Sequence, residues 1–172
     1  ATGKTILFVA GKNEAQKVIR EAADSAGLPY VSGRWIGGTL TNFPEIKKRA
    51  ERLVTLRTQR EKGELNKYTK KERLLIDREI DKLEEKFGGI TGMDAVPHAV
   101  FVVDSKSEYI AVKEARAQGL PVVALTNSDC DLSVVNYPIV ANDAARASIT
   151  LFVNEIKDAY LEGTRNKKKE SK

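Results

Sequence analysis

The 172-residue sequence is short of the residues on which most protein chemistry depends. It holds one cysteine, one histidine, one methionine and one tryptophan, and aromatic residues make up 6% of it. A single cysteine, Cys130, excludes an intramolecular disulfide and points to a reducing compartment. One cysteine and one histidine, His98, cannot build a zinc site from Cys and His ligands. The same scarcity leaves little for nucleophilic catalysis that relies on a histidine base. No run approaches the roughly 20 apolar residues that cross a bilayer, and the first residues lack the flanks of a signal peptide. The expectation is a protein with no catalytic residue, metal, cofactor, small-molecule substrate or membrane partner.

What the sequence does have is core and charge. Hydrophobic residues make up 41%, and a compact domain of this size buries about 70% of its unfolded surface. The net charge of +5 is segregated. Residues 1–43 carry five Lys/Arg against three Asp/Glu, and residues 44–87 carry fourteen against ten. Residues 88–162 reverse the balance with five against ten, and the tail 163–172 returns to five against one. Basic charge confined to one segment and a tail suits docking on one polyanion surface, although a charge run is more often a solvated face.

The hydrophobic pattern predicts an α/β fold. Thr5-Ile6-Leu7-Phe8-Val9-Ala10 reads as a strand covered on both faces, and Lys12 to Ala26 reads as a helix stopped by Gly27-Leu28-Pro29. Tyr30-Val31 begins a second strand. The same order returns with the strand Ala99-Val100-Phe101-Val102-Val103, a helix opened by a Ser105/Glu108 capping box, Gly119-Leu120-Pro121, and the strand Val122-Val123-Ala124-Leu125. Tyr137-Pro138-Ile139-Val140 adds an edge strand, and Asp143 to Tyr160 a closing helix. Repeated strand–helix–strand units predict an open parallel sheet with helices on both faces, a flavodoxin-like or Rossmann-like three-layer arrangement. Residues 1–43 and 88–162 form that domain.

Residues 44–87 interrupt it: 24 of these 44 are charged, against 29 of the other 128. Ile46, Ala50 and Leu53 step by four and three, as do Ile76, Ile80, Leu83 and Phe87. So narrow a seam predicts two helices of about 19 residues, each roughly 28 Å long, forming a protruding coiled-coil hairpin. The tail 163–172 is read as a disordered end or a phosphate-binding extension.

Three motifs carry candidate chemistry. Gly11-Lys12 sits at a strand-to-helix turn, where Lys12 can meet a nucleotide or a nucleic-acid phosphate. Gly3-Lys4-Thr5 is rejected as a phosphate loop because it precedes its strand. Asp129-Cys130-Asp131 follows a strand, where two aspartates can hold a hydrated Mg²⁺ but a polar loop is the commoner case. Gly33 to Phe43 combines three glycines, Arg34, the only tryptophan and the polar Thr39, Thr41 and Asn42, so it reads equally as a turn over a buried indole or as a binding loop.

Arg34-Trp35-Ile36-Gly37-Gly38-Thr39-Leu40-Thr41-Asn42-Phe43, Ile110-Ala111-Val112-Lys113-Glu114-Ala115 and Pro121-Val122-Val123-Ala124-Leu125-Thr126-Asn127 occur in this order. With the charged segment between the first two, they closely resemble the bacterial ribosomal protein S-two family. The resemblance covers nearly the whole sequence except the tail. It implies a flavodoxin-like sheet with a helical hairpin, seated on the small ribosomal subunit between head and body. It also implies contact with 16S-type ribosomal RNA and neighbouring proteins, and help in recruiting the S-one protein. The implied place is a cytoplasmic ribosome, with an organellar one left open. Family members carry a further segment ahead of the first strand here. Carried over by position, Arg34, Thr39, Thr41, Asn42, Lys47 and Lys48 are expected to face RNA. Asn142, Asp143 and Arg146 match the family's Asn-Asp turn and helix start. Lys12 and Arg146 join the RNA candidates, and Trp35, Leu65 and Tyr68 stand as protein-interface candidates. The rival readings are an α/β nucleotide-binding enzyme using Gly11-Lys12 with Asp129 and Asp131, and a coiled-coil adaptor working through residues 44–87.

Overall fold

A computed structural model describes the backbone of residues 4–170 and the side chains of 4–166. Five strands, β1 (Ile6–Ala10), β2 (Tyr30–Ser32), β3 (Ala99–Val103), β4 (Val122–Thr126) and β5 (Tyr137–Val140), form one sheet in the order β2-β1-β3-β4-β5. Every pairing is parallel, with Phe8 beside Tyr30 and Phe101, and Ala124 beside Val102 and Pro138. The continuous apolar runs of β1, β3 and β4 are covered on both faces, as parallel strands require.

Two helices cover one face: α1 (Asn13–Ala26) and α5 (Arg146–Glu170). Val18, Ile19, Ile149 and Val153 pack there on Phe8, Phe101 and Leu125. The other face carries α4 (Tyr109–Ala117) and the near end of α2 (Phe43–Glu61), with Val112, Ala115, Phe43, Ile46 and Ala50 packed on Leu7, Val9, Val100 and Val102. The three layers expected from the sequence are present. The two Gly-Leu-Pro stops also work alike. Gly27 and Gly119 take φ of 64° and 68°, and Leu28 and Leu120 donate their N–H groups back to Ala23 and Ala115.

The charged segment folds as α2 and α3 (Lys70–Phe87), packed together through Leu53, Leu56 and Ile80. Arg52–Glu79, Arg57–Glu84 and Arg60–Asp77 pair along the outside of this seam. The near end, with Phe43, Ile46, Ala50 and Phe87, belongs to the main core. Thr69 and Glu72 form a reciprocal capping box that starts α3.

Two expectations need correction. No Ser105/Glu108 capping box opens α4. Asp104, at φ 68°, instead caps the turn ahead of it, accepting from the Lys106 and Ser107 N–H groups and from Ser107 Oγ, and α4 begins after Glu108 without a side-chain cap. An aspartate suits the left-handed conformation because its short side chain can bond locally. The buried Ser105 Oγ has no partner. The closing helix also starts later and runs further than Asp143 to Tyr160. Asn142 Oδ1 caps the turn before it through the Ala144 and Ala145 N–H groups, and the helix continues through Glu170. Residues 163–170 of the expected tail therefore extend α5. Its lysine side chains, Lys167 to Lys169, lie outside the described ones.

Candidate nucleic-acid interface

The loop from Gly33 to Asn42 is organised by one side chain, Glu114 of α4. Its Oε1 accepts from Trp35 Nε1 at 3.1 Å and Gly38 N at 2.7 Å, and its Oε2 accepts from Leu40 N at 2.9 Å and from Thr41 N and Oγ1 at 3.2 and 3.3 Å. Burial opposes the charge, but the donors from Leu40, Gly38, Trp35 and Thr41 outweigh it and hold the carboxyl below the usual glutamate pKa. Gly33 and Gly38, at φ 128° and 91°, supply backbone that other residues rarely adopt.

This anchoring sorts the expected contacts. Arg34, Thr41 and Asn42 are exposed. Trp35 is 5% exposed and Thr39 2%, with the Thr39 hydroxyl donating to Ile36 O. Leu65 is likewise buried. Trp35 and Leu65 are thus buried in this chain, and the Thr39 hydroxyl is taken up within the loop. Tyr68 stays exposed in the turn between α2 and α3, with Lys67 5.4 Å from its ring centre. Lys47 bonds Asp94 and Lys48 bonds Glu45, while Arg34 and the exposed Arg49 have no carboxylate within ion-pair distance among the described residues. Exposed pairs of this kind contribute about 0–1 kcal/mol, so a phosphate can displace them. Arg146 stands apart, beside Val18 and Glu21 on the α1/α5 face.

Lys12, a phosphate candidate in the sequence, has two carboxylate partners within the chain. Its ammonium lies 2.7 Å from Asp104 and 3.2 Å from Asp143, whose side chains are 6% and 2% exposed. Burial works against this charge, but the two carboxylates outweigh it and raise the lysine pKa. Burial would raise the Asp104 carboxyl, but Lys12 and the Ser107 donors outweigh it and hold it down to about 2. A lysine so committed is not free for a phosphate. Asp104, Cys130 and Asp143 bring one ligand atom each within 4.8 Å of one another, and the Lys12 ammonium supplies the cation there. Beside them the buried Glu108, facing the Gly11 N–H and Asp104, is pushed up to about 7, mainly by burial. A Cβ on Gly11 would fall 2.2 Å from the Glu108 carboxylate, so a side chain there would displace Glu108.

The aspartates of the enzyme reading have partners of their own. Asp129 pairs with Lys106 at 2.9 Å, and Asp131 caps its own short 3-10 turn through Ser133 N. Sequence reasoning missed Glu114 and Asp104. Both are acidic residues inside apolar-patterned stretches, and that was the one signal available.

The fold and site together define an open parallel α/β domain with a glycine-rich loop anchored on Glu114 and a charged helix pair inserted after it. No described helix is long and apolar enough to cross a membrane. The family model described as Ribosomal protein S2 matches residues 1–163, and the chain belongs to that family. It is 47% identical over 163 residues to the small ribosomal subunit protein uS2 of Sulfurimonas denitrificans, covering 95% of this chain and 63% of the relative. The corresponding protein of a Roseiflexus species is 48% identical over 163 residues, with shares of 95% and 62%. That of Helicobacter hepaticus is 44% identical over 168 residues, with shares of 98% and 64%. The chain thus spans a little under two thirds of the length of these relatives, which are named as proteins of the small subunit.

Proposed function

We propose that the chain is a non-catalytic structural component of the small ribosomal subunit that binds 16S-type ribosomal RNA and neighbouring ribosomal proteins. The observation that carries this reading is the exposure of Arg34, Thr41 and Asn42 on the anchored loop and of Lys48 and Arg49 on the first turns of α2, where Arg34 and Arg49 have no ion-pair partner among the described residues and the Lys47 and Lys48 pairs are readily displaced. Such side chains neutralise phosphates, and the carboxylate-anchored loop holds them in place, so recognition rests on position more than on base identity. The α2–α3 pair serves as an arm carrying Tyr68 to a protein neighbour, and Arg146 makes a separate contact from the α1/α5 face. Support for S-one recruitment belongs to the same reading and rests on the family.

Sucrose-gradient sedimentation of a native extract with immunodetection, repeated after a high-salt wash, tests it. Co-migration with the small subunit through the wash supports an integral ribosomal role. Sedimentation as a small free protein would remove it.

A further inference from the structure

Gly37 has no internal reason to be glycine. Its φ lies outside the left-handed region taken up by its neighbour Gly38. A Cβ built on it meets no atom within 4 Å, whereas one on Gly38 meets Asn42 and one on Gly11 would collide with Glu108. Neither backbone conformation nor packing asks for a bare backbone at this exposed position, so Gly37 leaves an open stretch of main chain that a ligand can approach closely. Gly37 also lines a cleft of about 300 Å³ whose other walls are Arg34, Trp35, Ile36, Glu85 and Lys86. Arg34 comes from the loop and Lys86 from the last turn of α3, and among the described residues neither has an ion-pair partner. Glu85 is the one carboxylate on the rim, which leaves the cleft net positive. The loop wall is pre-set, because Trp35 and Gly38, on either side of Ile36 and Gly37, are both bonded to Glu114.

We propose that this cleft seats a backbone phosphate of RNA, held between the Arg34 guanidinium and the Lys86 ammonium and pressed against the bare backbone of Gly37. The inference rests on the RNA-binding reading and adds Lys86 and Gly37 to it. A guanidinium fork and an ammonium converging from two elements suit a phosphate, and absence of a Cβ lets the nucleic-acid backbone approach closely.

The test is filter binding of the protein to small-subunit ribosomal RNA over a range of salt, using Gly37→Ala, Lys86→Ala, Arg34→Ala and, outside the cleft, Arg49→Ala. Gly37→Ala is expected to keep or raise the thermal midpoint, since alanine is unstrained there, while weakening RNA binding at least threefold. Lys86→Ala and Arg34→Ala should each flatten the log–log salt dependence by about 0.7 to 0.9, and the double variant should lose less than the two singles together. If Gly37→Ala and Lys86→Ala bind like the parent while Arg34→Ala and Arg49→Ala are weakened, the cleft is overturned and the RNA reading stands. If all four bind like the parent, both fall.

Discussion

At the scale of single residues, three of the four buried carboxylates described are handled in three ways. Asp104 is paired with Lys12, Glu114 is surrounded by donors, and Glu108 has one N–H and a neighbouring like charge. Their pH effects differ in sign. Asp104, depressed to about 2, adds stability that is present above its unfolded value of 3.8 and lost as pH falls below it. Glu108, raised to about 7, acts oppositely. Below 4.5 it is protonated folded and unfolded; from 4.5 to 7 only the unfolded chain ionises, so stability falls, and above 7 the loss is complete. A shift of this size corresponds to at most about 3 kcal/mol. Glu108→Gln, which cannot ionise, should therefore remove the decline. Thermal midpoints measured from pH 4.5 to 8 should converge with the parent at the acid end and rise above it at the alkaline end. Parallel profiles would show that Glu108 is ionised in the fold. Glu114 gives a sharper outcome because it holds the only tryptophan. Glu114→Gln turns an acceptor into a donor facing N–H groups, and a buried donor left unpaired costs about 1–3 kcal/mol. The expected result is a loss of that order in urea unfolding, with Trp35 fluorescence shifted to the red as the indole loosens.

At the scale of elements, the strands and α1 were legible because their signals are local. An apolar run bounded by Gly-Leu-Pro needs no knowledge of distant residues. The start of α4 was not. Ser105 and Glu108 have the spacing of a capping box, but the strand end at Asp104 turns Glu108 toward Gly11, a neighbour that only the assembled sheet brings close. The junction between α3 and the sheet is similar. Gly88-Gly89 brings the chain back from α3 to the sheet, and a Cβ on Gly89 would stand 2.3 Å from the Tyr30 carbonyl and 2.6 Å from its ring. Gly89 is a close-packing position where α3 meets β2, with backbone as the obstacle. Gly89→Ala should cost about 1–3 kcal/mol, the usual range for overpacking, whereas Gly92→Ala, with nothing within 4 Å, should leave the unfolding midpoint in place.

At the scale of the whole molecule, the candidate site was half legible. Arg34, Thr41 and Asn42 face solvent, while Trp35 and Lys12 turn inward to partners far away in sequence, Glu114 and the Asp104–Asp143 pair, and Thr39 turns in to the nearby Ile36 carbonyl. Composition marks a loop as polar and glycine-rich; it does not say which side chains the sheet will claim. The charged segment poses the same question at larger size. Its near end, through Phe43, Ile46, Ala50 and Phe87, is core, whereas Leu53, Leu56 and Ile80 pack on one another in a cluster of their own. Two deletions should therefore behave differently. Replacing residues 52–80 with a short Gly-Ser turn removes only the separate cluster and its ion pairs, so the thermal midpoint and Trp35 fluorescence of the sheet domain should change little. Replacing residues 44–87 strips Ile46, Ala50 and Phe87 from the face that covers Val9 and Val102, and cavities left by such residues cost about 2–5 kcal/mol each where large side chains are lost. Equal destabilisation by the two deletions would show that the far end of the helix pair supports the sheet. If the shorter deletion keeps the fold and lowers small-subunit association, the far end is an arm whose stability is its own and whose use lies with a partner.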